Sequence, residues 1–150
     1  ESGRKINEKM PDHTVELTSD AFKECNKSIQ NSEILILGVS YKPNVKDIQL
    51  SPAKYIIKKF QNLGANVHIY DPNFSSTEVF GIKVEDNLDD ILSKMDAAVI
   101  VTGHDDFKKI EISSFAKMKT PILVDTSGII EPQSVKQHNI IFRGLGRGDF

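Results

Sequence analysis

Cysteine is nearly missing from this chain. Its single thiol, Cys25, excludes an internal disulfide and a metal centre built on cysteines. A reducing, cytoplasmic setting is therefore expected. Charge of one sign is also lacking. The formal net charge is −2 over 150 residues and no Lys/Arg block stands out, which argues against a nucleic-acid partner. No apolar run approaches the ~20 residues that a membrane-spanning helix needs. His13, His68 and His138 share no sequence context that suggests metal ligation, so no metal site is expected. The start, Glu1-Ser2-Gly3-Arg4-Lys5, is polar, resembles no signal peptide and lacks an initiating Met, so a piece of a longer protein is expected. What is present, 39% apolar and 27% charged residues, is the balance of an ordinary globular domain with a core of its own.

Hydrophobic spacing sets out the elements. Val15, Phe22, Cys25 and Ile29 recur at helical intervals and predict a helix from about Pro11 to Asn31. Glu33 to Gly38 is a short unbroken apolar run ending in glycine, the pattern of a strand buried on both faces. Ser51-Pro52 is a helix start. Ala53, Ile56, Ile57, Phe60 and Leu63 form its stripe, and Gly64 closes it. Strands are predicted at 66–70, 97–101, 121–125 and 140–142, with helices at 87–95 and, for the most part, 105–117. There is no internal repeat. Strands alternating with helices predict an α/β, Rossmann-like three-layer fold with a mainly parallel sheet, preceded by an N-terminal helix.

In such sheets ligands bind beyond the carboxyl ends of the strands, where strand order reverses. With 33–38 as the central first strand, the crevice falls at Gly38 to Asp47, and the other strand ends deliver Asp71, Thr102-Gly103-His104 and Asp125. A dinucleotide fingerprint would read G-x-G-x-x-G there. This loop reads Gly38-Val39-Ser40-Tyr41-Lys42-Pro43, with one glycine and a lysine. The backbone cannot crowd a pyrophosphate as a standard turn does, whereas a lysine ammonium can meet phosphate or sugar oxygens. A stand-alone NAD-binding domain is disfavoured for the same reason.

The run Gly38-Val39-Ser40-Tyr41-Lys42-Pro43-Asn44-Val45-Lys46-Asp47-Ile48-Gln49-Leu50-Ser51-Pro52-Ala53 closely resembles the C-terminal-domain motif of the UDP-glucose/GDP-mannose dehydrogenase family, G-x-x-[FY]-K-P-N-x-x-D-x-R-x-S-P-A. The likeness continues through Leu63 to Val67, Tyr70-Asp71-Pro72, Thr102 to Phe107, Val124-Asp125 and Phe142 to Arg147. Arg4-Lys5-Ile6-Asn7 and Met10-Pro11 resemble the end of the family's central helical region. The likeness thus implies two parts: 1–31 as the end of that helical region, and 32–150 as a Rossmann-like domain that binds a nucleotide sugar. Lys42-Pro43-Asn44 and Thr102 to Phe107 lean toward the UDP-N-acetylmannosamine dehydrogenase branch.

The resemblance implies further properties. Complete members oxidise a sugar C6 alcohol to a carboxylate in two NAD-dependent steps. They carry an N-terminal NAD-binding domain and a central helical segment with the catalytic cysteine, and they form homodimers through the middle helices. This chain matches only the third part, so it is expected to hold no catalytic residue and to be inactive alone. Its implied partners are a UDP-sugar and the N-terminal and central domains of the same protein. Lys42 and Tyr41 are expected to contact the nucleotide sugar, and Asp47 and Gln49 to approach the NAD side of the cleft.

The chain departs from the family pattern at two places. Gln49 stands where arginine follows D-x, and Ser127 stands where V-D-x-R is usual. Each change removes a guanidinium; a charge-assisted bond of about 1.5–3 kcal/mol against about 1 for a neutral one corresponds to about a tenfold loss of affinity. These departures motivate an alternative: a non-catalytic nucleotide-binding or interaction module derived from the family. The other singled-out residues have plainer readings. Cys25 on a helix stripe reads as a small packed thiol rather than a nucleophile. Asp71 reads equally as a ribose ligand or a turn cap before Pro72, Asp125 as a ligand or loop-ordering group, and His104 as a base or, more commonly for such a position, a loop residue near a helix start.

Overall fold

The computed structural model describes residues 9–40, 42–44, 48, 51–75 and 77–144. Helix α1 (Lys9–Glu24) leads into strand β1 (Glu33–Leu37), helix α2 (Ala53–Asn62) and strand β2 (Asn66–Tyr70). A 3₁₀ turn at Pro72–Phe74 precedes a short hairpin, β3 (Glu78–Val79) and β4 (Ile82–Lys83). Then come α3 (Leu88–Leu92), β5 (Ala97–Ile100), α4 (Asp105–Lys108), α5 (Ile112–Phe115), β6 (Ile122–Asp125), α6 (Pro132–Val135) and β7 (Ile141–Gly144).

The five-stranded sheet has the order β2-β1-β5-β6-β7, and every neighbouring pair runs parallel. This is the expected α/β, Rossmann-like arrangement. Its order reverses between β1 and β5, so the crevice of an open parallel sheet opens there. Alternate residues face opposite layers. Ile34, Ile36, Ala97, Val99, Ile122 and Val124 join Phe22, Ile56, Ile57 and Phe60 of α1 and α2 in one core cluster. Leu35, Leu37, Ala98, Ile100 and Leu123 join Leu92, Phe107, Phe115 and Val135 in the other. Burial on both faces is why these strands read as continuous apolar runs. Each large side chain so buried contributes about 1.5–3 kcal/mol.

Helix ends follow local chemistry. Ser51 Oγ accepts from Ala53 N–H at 3.1 Å and caps α2 as the Ser-Pro pair suggested. At its far end Gly64, at φ +90°, supports two reverse bonds: Gly64 N–H to Gln61 O and Ala65 N–H to Phe60 O. This is the Schellman closure. α1 ends by the same device with a different residue. Asn26 takes φ +58°, with Asn26 N–H bonded to Lys23 O and Lys27 N–H to Phe22 O. The helix therefore stops at Glu24 rather than near Asn31, because asparagine tolerates the left-handed conformation that closes a helix. α1 packs against α2, β6 and β7, and Arg143 of β7 reaches Asp20 and Glu24 on it.

The stretch expected to be helical over 105–117 is two short helices, separated at Glu111, which is extended (φ −70°, ψ 138°). Each half buries its own phenylalanine, Phe107 or Phe115. No described helix is long and apolar enough to cross a membrane.

Candidate functional site

The carboxyl ends of β1, β2 and β5 meet around one buried imidazole. β1 ends at Gly38 (φ +91°), whose N–H donates to Tyr70 O at the end of β2. A Cβ on Gly38 would lie 2.5 Å from the Thr102 carbonyl oxygen. That glycine thus serves the close approach of two strand ends, and the space a side chain would need is filled by backbone. Thr102 Oγ1 donates to Ser40 O at 2.6 Å, and Ser40 Oγ donates to Lys42 O at 2.8 Å. The chain is led in this way from the strand onto the Lys42-Pro43-Asn44 segment, all exposed.

His104, 1% exposed, fastens that segment from the other side. Asn44 N–H donates to His104 Nδ1 at 2.7 Å. A backbone amide has only a proton to give, so Nδ1 presents its lone pair and the hydrogen of the neutral ring sits on Nε2. Nε2 lies 3.0 Å from Asp71 Oδ2 and 3.3 Å from Ser40 Oγ, both able to accept. Asn44 Oδ1 in turn accepts from Asp105 N–H at 2.9 Å, tying the segment to the first turn of α4. Lys108 and then Asn44 hold the exposed Asp105 carboxyl below the ordinary carboxylate range.

Two carboxylates at this edge are spent on backbone. Asp71, fully buried, accepts from Val39 N–H (2.9 Å), Asn73 N–H (2.9 Å) and His104. Of its two sequence readings, the turn cap holds. Asp125, 1% exposed, accepts from Ser127 N–H, Ser127 Oγ, Gly128 N–H and Ile130 N–H, and so orders the loop after β6. A buried carboxylate needs such partners to offset its lost hydration. Burial, aided by Asp106 and Asp71, pushes the Tyr70 phenol up, so it remains neutral.

The described residues do not fit a dinucleotide in the standard manner. The lone glycine of the turn is closed by Thr102, and the acid ending β2 faces inward, away from any ribose. Among the predicted site residues, Lys42 stands at the mouth between β1 and β5, while Tyr41, Asp47 and Gln49 lie outside the described residues. Ser127, at the position of a family arginine, turns its hydroxyl onto Asp125 at 2.7 Å. The pairing of His104 with Asn44 across 60 residues had no signature in the sequence beyond a histidine following a strand end. Among the described residues no group of His, Cys, Asp and Glu suits a metal ion.

Similarity to known proteins agrees with this geometry. A sequence model of the UDP-glucose/GDP-mannose dehydrogenase family, UDP binding domain, matches residues 35–132. The UDP-N-acetyl-D-mannosamine dehydrogenase of Pyrococcus horikoshii is 34% identical over 97% of this chain and 33% of its own length. The UDP-glucose 6-dehydrogenase of Rhizobium meliloti is 31% identical over 81% of this chain and 29% of its own. The solved UDP-D-ManNAc dehydrogenase of Pyrococcus horikoshii superposes with a TM-score of 0.82 at 32% identity, covering 97% of this chain and 32% of that one. The chain spans about a third of the length of these relatives. With its matched residues running from β1 to the start of α6 and the strand-end latch lying inside them, the chain belongs to the UDP-glucose/GDP-mannose dehydrogenase family, as its UDP binding domain.

Proposed function

We propose that this chain holds the nucleotide of a UDP-sugar for an NAD-dependent sugar nucleotide dehydrogenase, and that it performs no chemistry alone. The observation that carries this reading is the Lys42–Asn44 segment latched at the reversal of strand order, within a UDP binding domain. Lys42 would meet phosphate or sugar oxygens as a compact cation, and the family resemblance implies Tyr41 beside it. By the same resemblance Asp47 and Gln49 would approach the NAD side of the cleft. NAD itself would be held mainly by another domain, since the turn after β1 is closed by Thr102. NAD would supply a hydride acceptor for each of the two oxidations, alcohol to aldehyde and hydrated aldehyde to carboxylate.

The remaining parts of the longer protein would be the NAD-binding and central helical domains. Residues 1–31 would close the helical region and 32–150 would form the nucleotide-binding unit. The assembled protein would be a homodimer working in the cytoplasm. The two relatives named above act, by their names, on UDP-N-acetyl-D-mannosamine and UDP-glucose, which supports a UDP-hexose as the substrate class.

A second reading has one observation in its favour. Ser127 faces inward onto Asp125 and puts no cation at the position of a family arginine, as a non-catalytic nucleotide-binding or interaction module would permit. Turnover of NAD with a UDP-sugar by the full-length protein separates the two.

Calorimetric titration of the chain with UDP tests the proposal. Weak binding is expected, because other domains complete the cleft, and Lys42→Ala should weaken it by about tenfold, the loss of one charge-assisted bond. NAD should give no heat. No detectable UDP binding at millimolar concentration would overturn the reading.

A further inference from the structure

We propose that His104 is a positioning residue of the nucleotide site: the lone pair on its Nδ1 sets the conformation of the Lys42–Asn44 segment. The proposal rests on the reading of that site given above.

The ring joins three strand ends. Nδ1 receives Asn44 N–H at 2.7 Å, and Nε2–H points to Asp71 Oδ2 at 3.0 Å, with Ser40 Oγ at 3.3 Å. Asn44 sits at φ +65°, a left-handed conformation that asparagine adopts more readily than most residues. The imidazole acceptor and the bond from Asp105 N–H to Asn44 Oδ1 hold it. Lys42 lies between two anchors, its own carbonyl on Ser40 Oγ and Asn44 N–H on the ring. The backbone position of Lys42 follows from both.

The hydrogen-bond roles are demanding. An imidazolium has two N–H donors and no acceptor. Its Nδ1–H would face Asn44 N–H, donor against donor, so a proton on His104 and the Asn44 bond exclude each other. The groups facing the ring are these: the Asp71 carboxylate from the end of β2, Ser40 from the β1 loop, and the Phe107 ring of α4, 5.4 Å away centre to centre. Asp105 and Asp106 on α4 are exposed, and Asp105 turns to Lys108 at 3.3 Å. Asp71 is also committed to Val39 N–H through the same oxygen that takes Nε2–H.

A histidine that only filled space would need no particular nitrogen. Two variants separate its functions. In His104→Asn the amide oxygen stands close to the Nδ1 position and accepts from Asn44, while the bond to Asp71 is lost. In His104→Gln the longer side chain returns a donor to Asp71 and leaves Asn44 N–H without its acceptor. His104→Asn loses the buried, charge-assisted bond to Asp71 and His104→Gln the part-buried bond from Asn44, so a purely structural role predicts the larger loss in His104→Asn.

UDP-glucose, whose diphosphate diester does not titrate near neutrality, is the probe. At neutral pH His104→Asn should bind it within about threefold of the unaltered chain, and His104→Gln about tenfold more weakly. Equal affinities for the two variants, or weaker binding by His104→Asn, would overturn the proposal. In the ligand-free chain, NMR should detect a scalar coupling through the hydrogen bond between Asn44 nitrogen and His104 Nδ1. Its absence would overturn the latch whether or not UDP-glucose binds. A coupling present in a chain that binds no UDP-glucose at millimolar concentration would instead overturn the nucleotide reading, and the positioning role with it.

Discussion

Replacing Gly38 by alanine tests the packing on which the site is built. Two costs combine at this position. The first is conformational: φ is +91°, where an L-residue pays about 1–2 kcal/mol. The second is steric. The added Cβ would stand 2.5 Å from Thr102 O, 2.8 Å from its Cβ and 2.9 Å from its N, all belonging to the end of the neighbouring strand. Backbone cannot swing aside as a flexible side chain does, and overpacking of this kind costs typically 1–3 kcal/mol. The sum is about 2–5 kcal/mol, a large part of the ~5–15 kcal/mol that stabilises a domain. Gly81 supplies the control. It has φ +82° and nothing within 4 Å of a built Cβ, so Gly81→Ala incurs only the conformational part, about 1–2 kcal/mol. Urea denaturation followed by circular dichroism measures both, with slopes of about 1–3 kcal/mol per molar that should be unchanged by either substitution. If Gly38→Ala is no less stable than Gly81→Ala, the close approach of β1 and β5 at this point is wrong, and so is the explanation of why the turn cannot cradle a pyrophosphate.

Other consequences are smaller in scope. Ser51→Ala removes the hydroxyl that caps Ala53 N–H and should cost about 1 kcal/mol in the same urea experiment. Asp125→Ala leaves Ser127, Gly128 and Ile130 amides without their acceptor; hydrogen exchange should quicken selectively over 126–130, with the β1 and β5 amides unchanged. Burial, with Glu24 adding to it, raises the Cys25 thiol above its ordinary value against the opposing pull of Arg143 and Lys27. The folded state therefore favours the neutral thiol, whose contribution is present below the unfolded-state value and is lost as pH rises through the folded one. Alkylation by iodoacetamide at one mildly alkaline pH should accordingly be slower in the folded chain than in urea, and equal rates would contradict the packed position of Cys25.

Much of the architecture was readable from residue order because burial on both faces leaves a plain mark. Ile34 to Leu37, Ala97 to Ile100 and Ile122 to Val124 are apolar at every position, and each is a central strand. Ser51 and Gly64 announced the ends of α2 through chemistry local to each turn. Local reading failed where a residue served an unusual part. Asn26 closes α1 in the conformation usually left to glycine, and nothing in the stripe of Cys25 and Ile29 disclosed it. The two-residue strands β3 and β4 are too short for any periodicity, and the bridge of Val84 to Ile69 that joins their hairpin to the edge of β2 is a long-range contact. The expected single helix over 105–117 is broken where Ile112-Ser113-Ser114, poor helix formers, meet an extended Glu111.

The site was legible in part. Lys42 was singled out because its neighbours form a motif, and the strand-end position of its segment followed from topology. The partners of His104 were not visible, since Asp71 and Asn44 lie 33 and 60 residues away and only the folded sheet joins them. Nor does a sequence tell which acid at a strand end faces a ligand. Asp71 and Asp125 look available in the chain and are both occupied by amides in the fold.

Mapping amide chemical-shift changes while UDP-glucose is added to the isotope-labelled chain tests the central claim most directly. The account predicts saturable changes at Gly38 to Ser40, Asn44 and Thr102 to Asp105, with the opposite sheet edge at Glu33, Asn66 and Asp96 silent. Changes confined to that opposite edge, or none at millimolar ligand, would contradict it.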